Sequence, residues 1–527
     1  MSEGINNLSQ VGRKAIFEQD WATLEKVAHE AVDTYPREPE SHFLIGKLFA
    51  LQQKIKPAIS AFTNALKLDD NRYDAAIELG HLYVLSKRNG EAAELVRTYQ
   101  QHLNNSPYYL SLAAVICDQI SLPETAYRLH KKAYELQPEI NTFKANLAAS
   151  CVFLGKTSEA KALYEELMQS SPSHQRNHYF YSRLQTAQDD SHVSQMKTVL
   201  EKESNPAEKN IYMYYAIAKE LEDLQRWDES FFYYKMAGDA ATQVANYDVN
   251  EDLDILQSVI DNCTNTWMQK DTRRQEREAE VTPIFIVGLP RTGTTLLERM
   301  LSSHSQISTL GESQFVPMLI RNISNINDKR KVSPEIIASA AEKDISQLAQ
   351  MYLAAAEYRL DKTKPYFIEK LPLNFIYLGF IKKAFPNAKF IYMQRNPMDA
   401  CFAMYKQVFT WAYKFSYNLE NLGHYYKKHV ELLDHWRNVF GDDLIEISYE
   451  KLVTQSETEV EALFSAMNIN FEPECLAFYN NTAPSTTASS VQVREKLHSN
   501  SIDKWRSFEA HLKPLKEILL DAGIKCD

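Results

Sequence analysis

A short stretch bounded by two glycines carries the clearest sign of chemistry in this sequence. Gly288 and Gly293 enclose Leu-Pro-Arg-Thr, and Thr294 and Thr295 follow directly. The glycine spacing is that of the nucleotide-binding loop G-x-x-x-x-G-K-[ST], but Thr294 stands where that loop has its lysine. ATPases and GTPases need that lysine on the β- and γ-phosphates, so the stretch argues against both. Arg291 is the only cation within it, which favours a different anionic ligand.

The residues on either side of this turn predict the elements that hold it. Residues 284–287 form a short apolar run rich in β-branched side chains, which is typical of a buried parallel strand. Apolar residues after Thr295 have helical spacing: Leu296, Leu297, Met300 and Leu301. A turn between a strand and a helix start gathers unpaired amides and the positive end of the helix dipole. The pattern therefore predicts an anion site.

The rest of this half of the sequence alternates short strands with helices, which predicts βαβ units and a parallel sheet. Three later runs resemble the first strand: residues 366–368, 389–393 and 444–447. A cationic or phenolic side chain follows each run: Lys370, Arg395 and Tyr449. Ligands of such sheets bind at the carboxyl ends of the strands. Two cations and a phenol at those ends favour a polyanionic ligand.

Together, these motifs resemble the sulfotransferases, especially the protein-tyrosine type and bacterial proteins that join it to tetratricopeptide repeats. The resemblance covers most of residues 283–510. It implies transfer of a sulfonate group from 3′-phosphoadenosine-5′-phosphosulfate (PAPS), with 3′-phosphoadenosine-5′-phosphate (PAP) as product and no metal. It also implies that the turn holds the 5′-phosphosulfate through these residues: Arg291, Thr292, Gly293, Thr294 and Thr295.

The same resemblance assigns further residues. Glu312, which lies 21 residues after Arg291, is implied to be the catalytic base, with Lys370 and Arg291 as the other catalytic residues. Arg395 is implied to bind the 3′-phosphate of the donor. Further donor contacts are implied at Tyr449, Ser489 and Lys504, and His304 matches a histidine of the family.

One position departs from the family pattern. Family members usually carry a serine eight residues after the 3′-phosphate arginine, and this sequence has Ala403 there. One hydrogen bond to a charged group contributes roughly 1.5–3 kcal/mol. We therefore expect weakened binding of the 3′-phosphate, with Ser489 as the compensating hydroxyl.

The first part of the sequence repeats with a period of 34 residues. One small-residue position recurs at Gly12, Gly46, Gly80, Ala114 and Ala148, and another recurs at Ala58, Ala92, Ala126 and Ala160. This pattern resembles the tetratricopeptide repeat, a helix hairpin whose stacked units form a concave binding face. The repeats imply a protein or peptide partner, which could be the acceptor.

These patterns predict the overall organisation. A chain of 527 residues is too long for one ordinary core. We expect an all-α tetratricopeptide-repeat solenoid over residues 1–245, a charged linker over 246–280, and a sulfotransferase domain over 281–527. The last is predicted to be an α/β domain with a P-loop-like parallel sheet.

Composition limits the partners and the location. The net charge of −11 disfavours a general nucleic-acid binder. The six cysteines are far apart, which favours reduced thiols over a zinc site or a disulfide framework. The sequence has no secretory signal and no apolar run of membrane-spanning length. These features predict a cytoplasmic protein with neither a nucleic acid nor a membrane as partner.

The acceptor is open at this level. An aromatic tract could line an aromatic acceptor's pocket or simply pack: Tyr405, Phe409, Trp411, Tyr413, Phe415 and Tyr417. Protein tyrosine is the first candidate, and a small hydroxylated metabolite or a glycan is the alternative within enzymes. Outside enzymes, the alternative is a repeat scaffold with an inactive transferase domain, which Ala403 favours. A nucleotide kinase is disfavoured by Thr294.

Overall fold

The computed structural model describes residues 3–270, 281–409, 412–487 and 489–527. Part of the predicted linker, residues 271–280, lies outside these ranges, as do Trp411 of the aromatic tract and Ala488. The chain divides into two compact units, Met1–Ala160 and Lys161–Asp527.

The first unit consists of paired helices. They are α1 (Glu3–Glu18), α2 (Trp21–Thr34), α3 (Pro39–Leu51), α4 (Ile55–Leu68), α5 (Tyr73–Leu85), α6 (Asn89–Tyr99), α7 (Pro107–Gln119), α8 (Pro123–Leu136) and α9 (Asn141–Phe153), followed by α10 (Thr157–Ser170), which contains the unit boundary. The predicted small-residue positions are buried where helices meet. A Cβ added at Gly46 would come within 2.8 Å of the Phe62 ring. The predicted all-α repeat architecture is confirmed.

The second unit begins with six more helices: α11 (Gln175–Ser182), α12 (Ser191–Glu203), α13 (Ile211–Asp223), α14 (Trp227–Ala245), α15 (Val249–Asn262) and α16 (Asn265–Gln269). The first described part of the predicted linker is therefore helical. Ile255, Leu256 and Val259 of α15 are buried in the main core of the unit.

A five-stranded parallel sheet forms the centre of the second unit. Its strands are β1 (Thr282–Gly288), β2 (Ile307–Thr309), β3 (Tyr366–Lys370), β4 (Lys389–Gln394) and β5 (Leu444–Ser448), in the order β2-β3-β1-β4-β5. Ile284 and Ile286 of β1 pack into one core, and Phe285 and Val287 pack into another. Both faces are covered, so the strand reads as a continuous apolar run. The predicted parallel sheet is confirmed.

The remaining helices surround this sheet: α17 (Thr294–Leu301), α18 (Phe315–Ser324), α19 (Pro334–Glu342), α20 (Leu348–Ala356), α21 (Leu378–Ala384), α22 (Pro397–Tyr405), α23 (Leu419–Phe440), α24 (Tyr449–Thr454), α25 (Ser456–Met467) and α26 (Lys513–Asp521). The segment from Asn481 to Trp505, called the closing segment below, includes the 3-10 helix Gln492–Arg494 and the start of the 3-10 helix Lys504–Phe508. Among the described residues, the helices are all too short or too polar to cross a membrane. The cytoplasmic location stays a prediction.

The last repeat-like hairpin and the sheet domain share one core. Helices α13 and α14 contribute Tyr215, Phe231 and Tyr234 to the core that also holds Phe402 and Tyr405 of α22. The hydroxyl of Tyr215 donates to the carbonyl of Tyr405 at 3.1 Å. Residues 161–245 therefore pack as part of the same unit as the sheet.

Candidate functional site

The glycine turn after β1 depends on left-handed backbone conformations. Gly293 has φ +100°, and a Cβ there would come within 2.6 Å of the Tyr449 ring. Arg291 itself has φ +67°. The hydroxyl of Thr292 donates to the carbonyl of Leu289 at 2.8 Å and closes the turn. This turn leads directly into α17.

The start of α17 has the features of an anion site. Gly293 occupies the position before its first residue, and no described side chain caps the helix there. The backbone amides of the first turn, which include those of Thr294 and Thr295, therefore have no side-chain acceptor. With the positive end of the helix dipole, they favour a negative group at this place.

Arg291 points from the turn towards the closing segment. Its guanidinium donates to the hydroxyl of Ser489 and, at 2.9 Å, to the side-chain oxygen of Gln492. Burial lowers the pKa of Arg291 to about 10, and the nearby cations Arg183 and Arg395 contribute in the same direction. A bound anion would reduce the repulsion among these three cations.

Glu312 and Lys370 are in direct contact. Glu312 lies in the loop after β2, and Lys370 ends β3. The loop continues the strand pairing, because Leu310 N–H donates to Ile368 O at 2.8 Å and Lys370 N–H donates to Gly311 O at 2.9 Å. The Lys370 ammonium, which is fully buried, then donates to the Glu312 carboxylate.

Lys370 also faces a second carboxylate. Its Nζ lies 3.6 Å from Glu298 of α17, whose other oxygen accepts from the hydroxyl of Thr309 at 2.7 Å. Burial acts to lower the pKa of Lys370, but Glu312 and Glu298 outweigh burial and raise it. Lys370 therefore stays charged. The Glu312 side chain is 35% exposed, so it remains open to an acceptor.

Glu369, next to Lys370, anchors this region from inside the core. Its carboxylate accepts from Ser313 at 2.7 Å, from Asn374 at 2.7 Å and from the hydroxyl of Tyr352. Burial raises the pKa of Glu369 to about 7, although these donors oppose the shift. Because Ser313 follows Glu312, Glu369 fixes the loop that carries the candidate base.

Arg395 is held at the end of β4. Its guanidinium donates to the carbonyl of Arg291 at 2.9 Å and to that of Ser501 at 2.5 Å, and it lies 4.7 Å from the centre of the Tyr449 ring. Its buried Nε has no partner among the described groups. Arg395 thus joins the turn to the closing segment, and these two hydrogen bonds leave other N–H groups of the guanidinium unused.

These elements enclose a pocket. Seven of the predicted site residues line it: Arg291, Gly293, Thr294, Thr295, Arg395, Tyr449 and Ser489. An apolar part of the wall comes from Leu296, Val453, Phe478 and Leu497. The pocket therefore combines cations and helix-start amides with an apolar surface, as a nucleotide with several anionic groups requires.

Residues 283–473 match the sulfotransferase family. Residues 50–116 match the tetratricopeptide repeat. An uncharacterized protein of Aquifex aeolicus (strain VF5) is 28% identical over 427 residues, which cover 80% of this chain and 55% of that protein. Human protein-tyrosine sulfotransferase 1 is 28% identical over 129 residues, which cover 24% of this chain and 35% of the human protein.

Among solved structures, the sulfotransferase domain from the curacin biosynthetic pathway is 18% identical, with a TM-score of 0.35, and covers 47% of this chain and 99% of that chain. The chain spans about half the length of the Aquifex relative and about a third of the length of the human one. The predicted resemblance to sulfotransferases and to tetratricopeptide repeats is confirmed, and the relation to the protein-tyrosine type is distant.

Six residues named from the sulfotransferase pattern do not line the pocket: Glu312 and Lys370, described above, and four more. Thr292 is buried in the turn, as described above. Lys504 pairs with Glu222 of α13, with 3.2 Å between Nζ and the carboxylate. Ala403 is partly exposed on α22 and does not line the pocket. His304 is buried against Phe464 and interacts with the carbonyl of Asn470 at 2.8 Å.

The residues of the aromatic tract in the sheet domain do not all have the same surroundings. Tyr405, Phe415 and Tyr417 are buried, and Phe415 stacks on Tyr425 with 3.6 Å between ring centres. Tyr413 is different. Burial raises its pKa, and the nearby Glu312 carboxylate adds to the effect. Among the described members of the tract, Tyr413 is therefore the one whose hydroxyl is affected by the charge of the candidate base.

Several polar residues of the site were not predicted from the sequence: Arg183, Glu222, Glu298, Glu369, Lys406 and Gln492. Glu298 follows Thr294 by one helical turn, so the helix start could have indicated it. Glu369 precedes Lys370 but belongs to an apolar strand, where a buried acid has no local signal. Arg183, which follows α11, and Glu222 of α13 precede the sheet domain in the chain, and only the folded arrangement brings them here.

Proposed function

We propose that the protein transfers a sulfonate group from PAPS to a hydroxyl acceptor, with Glu312 as base. The observation that supports this most directly is the contact between Glu312 and the buried Lys370, together with the Arg291 turn at the start of α17. A partly exposed carboxylate suits proton removal, and the cations suit charge that develops on a leaving phosphate.

The residues of the chain fit this donor. Arg291, Thr294, Thr295 and the first amides of α17 would hold its 5′-phosphosulfate, and Arg395, which lines the pocket, would bind the 3′-phosphate. Tyr449, Ser489 and the apolar wall would complete the pocket. When bound, PAPS supplies the sulfonate and a good leaving group. The predicted donor roles of Thr292 and Lys504 would then be indirect, through the turn and the closing segment.

Each protein group has its own role in the proposed reaction. Glu312 accepts the proton of the acceptor hydroxyl as the oxygen attacks. Lys370 and Arg291 stabilise the charge that collects on the departing phosphate oxygen, and the fixed amides of α17 do the same without reorganisation. These groups supply positions and charges, which is the main requirement of an in-line transfer of this kind. The proposal needs no metal.

We favour a tyrosine in a protein or peptide as acceptor. The distant relatives named protein-tyrosine sulfotransferase support an aromatic hydroxyl. The tetratricopeptide repeats support a polypeptide, because stacked hairpins of this type hold peptides or proteins. A small metabolite or a glycan is the alternative acceptor, and an inactive scaffold is the alternative to catalysis.

Calorimetry with PAP, ATP and GTP tests the donor. We expect PAP to bind far more tightly than either triphosphate, because Thr294 replaces the triphosphate lysine and Arg395 faces the pocket. Tighter binding of ATP would overturn the proposal. Incubation with sulfur-labelled PAPS and a panel of tyrosine peptides, phenols and oligosaccharides then tests the acceptor. Label on none of them despite tight PAP binding would favour the scaffold.

A further inference from the structure

A buried carboxylate from the helical segment binds lysines of the sheet domain. Glu222, near the end of α13, is only 8% exposed. Its oxygens accept from Lys406 at 2.8 and 3.1 Å and from the hydroxyl of Tyr234 at 2.9 Å, and Lys504 lies 3.2 Å away. One acid thus binds two lysines that come from different parts of the sheet domain.

The two lysines belong to the elements on either side of Arg395. Lys406 follows the last residue of α22, the helix that begins two residues after Arg395. Lys504 lies near the end of the closing segment, three residues after Ser501, whose carbonyl accepts from Arg395. A second contact acts in parallel, because Asp399 of α22 accepts from the amides of Asp503 and Trp505 at 2.7 and 3.1 Å.

The charges in this cluster depend on Glu222. Burial alone would raise the pKa of Glu222, but Lys406 and Lys504 outweigh burial and lower it. Burial lowers the pKa of Lys406, Glu222 opposes this change, and Lys504 and Arg395 reinforce it. Without the carboxylate, two ammonium groups would face each other beside a guanidinium. Lys504 is the more exposed of the two lysines and would turn outwards.

We propose that Glu222 is a positioning residue through which helix α13 sets the affinity of the donor pocket: by binding both Lys406 and Lys504, it holds the closing segment against Arg395. This inference rests on the proposed function for the identity of the donor. It assigns the helices before the sheet a direct part in donor binding, in addition to any role in holding an acceptor.

The test compares Glu222→Gln with the wild type in the full-length chain. Hydrogen exchange reports the closing segment without any ligand. We expect faster exchange at the amides of Asp503 and Trp505 in the variant, because Asp399 would then hold them alone. Calorimetry with PAP should show binding weaker by roughly ten-fold or more. Unchanged exchange, or PAP binding that stays equal or becomes tighter, would overturn the inference.

Control variants separate this effect from a general loss of structure. Glu229→Gln removes an exposed acid of α14, which pairs with Arg226, and should change neither readout. Glu222→Asp keeps the charge and should recover part of the PAP affinity. If Glu222→Gln does not fold, Lys504→Met breaks the same contact from its exposed side and should speed exchange at the same amides.

A double-mutant cycle identifies the path of the effect. If Glu222 acts through Lys504, the double variant should lose no more PAP affinity than the weaker-binding single variant. Fully additive losses would show that the two residues act separately and would contradict the inference. If the wild type itself fails to bind PAP, the proposed function is wrong, and the exchange experiment still decides whether Glu222 holds the closing segment.

Discussion

At the scale of single residues, the candidate base depends on a neighbour that does not contact it. Glu369 is fully buried and holds Ser313, the residue after Glu312, through a hydrogen bond of 2.7 Å. Its pKa of about 7 arises mainly from burial. A buried acid that titrates near neutrality makes the stability of this region depend on pH in a predictable direction.

Replacement of Glu369 by Gln should remove that dependence. The folded-state pKa is raised above the ordinary value of 4.5, so the folded protein favours the protonated acid. Its stabilising contribution is complete below pH 4.5 and is lost as the pH rises through about 7. The difference between the folded-state pKa and the ordinary pKa corresponds to roughly 3 kcal/mol in the free energy of unfolding. In thermal unfolding between pH 5 and pH 8, the unfolding temperature of Glu369→Gln should increase relative to that of the wild type as the pH rises. A constant difference would contradict the assignment.

Glu312→Gln tests the base itself. We expect turnover of the acceptor to fall by roughly a hundred-fold or more, because the amide cannot accept the proton. PAP affinity should stay near that of the wild type, since Glu312 does not line the donor pocket. Glu357→Gln, which removes an exposed acid paired with Lys362, is the matched control. Full turnover in the Glu312 variant would assign the base to another group.

The sequence predicted the site residues at the ends of strands, but it did not predict the acids that position them. Arg291, Lys370, Arg395 and Tyr449 each follow an apolar run, so the topology of a parallel sheet brings them to one edge. Glu222 has no such signal, because its partners lie 184 and 282 residues further along the chain. The pairing depends on how α13 packs on the sheet domain, which no local pattern records.

At the scale of elements, the turn between β1 and α17 tolerates few amino-acid substitutions. The turn approaches Tyr449, whose ring lies beneath Arg395. Any side chain at Gly293 would therefore disturb Tyr449, another residue that lines the pocket. The two strands beside β1 were predicted, whereas β2 was not, because a strand of three residues is too short to show a pattern.

Gly293→Ala should weaken PAP binding by roughly ten-fold or more, because the new Cβ would push Tyr449 away from Arg395. Gly441→Ala is the matched control. Gly441 also has a positive φ, +54°, but a Cβ there meets nothing within 4 Å. Both variants carry about 1–3 kcal/mol of backbone strain, and the strain is larger at Gly441, where ψ is −130°, than at Gly293, where ψ is 7°. Both should unfold at lower temperature, and only Gly293→Ala should lose PAP affinity in calorimetry. Equal PAP affinities would show that the turn tolerates the side chain.

At the scale of the whole molecule, the compact units and the predicted domains divide the chain at different places. The sequence places a domain boundary near residue 245, where the repeat pattern fades, whereas the second compact unit begins at Lys161. The apolar residues of α13 and α14 have the same spacing whether they face another repeat or a sheet domain. Their spacing therefore predicts helices but not the surface on which the helices pack. The predicted boundaries stay a prediction.

Truncation distinguishes the two boundaries. A chain that begins at Gly155, just before α10, should bind PAP like the full-length protein, because it keeps the second compact unit. A chain that begins at residue 275 should be insoluble or bind PAP weakly, since it loses Glu222 and uncovers Phe402 and Tyr405. Solubility, unfolding temperature and PAP affinity measure the outcome. Normal PAP binding by the shorter chain would show that the sheet domain is independent of the helices.

Helices before residue 155 should be gained or lost during evolution more readily than the helices after it. A gene that gains or loses a 34-residue unit in the first part only lengthens or shortens an array in which each hairpin contacts its neighbours. The same event between Ile211 and Ala245 would delete Tyr215 and Tyr234 from the core shared with α22, and it would also remove Glu222, which binds Lys406 and Lys504. Relatives should therefore vary in the number of early repeats while inheriting α13 and α14 together with the sheet domain.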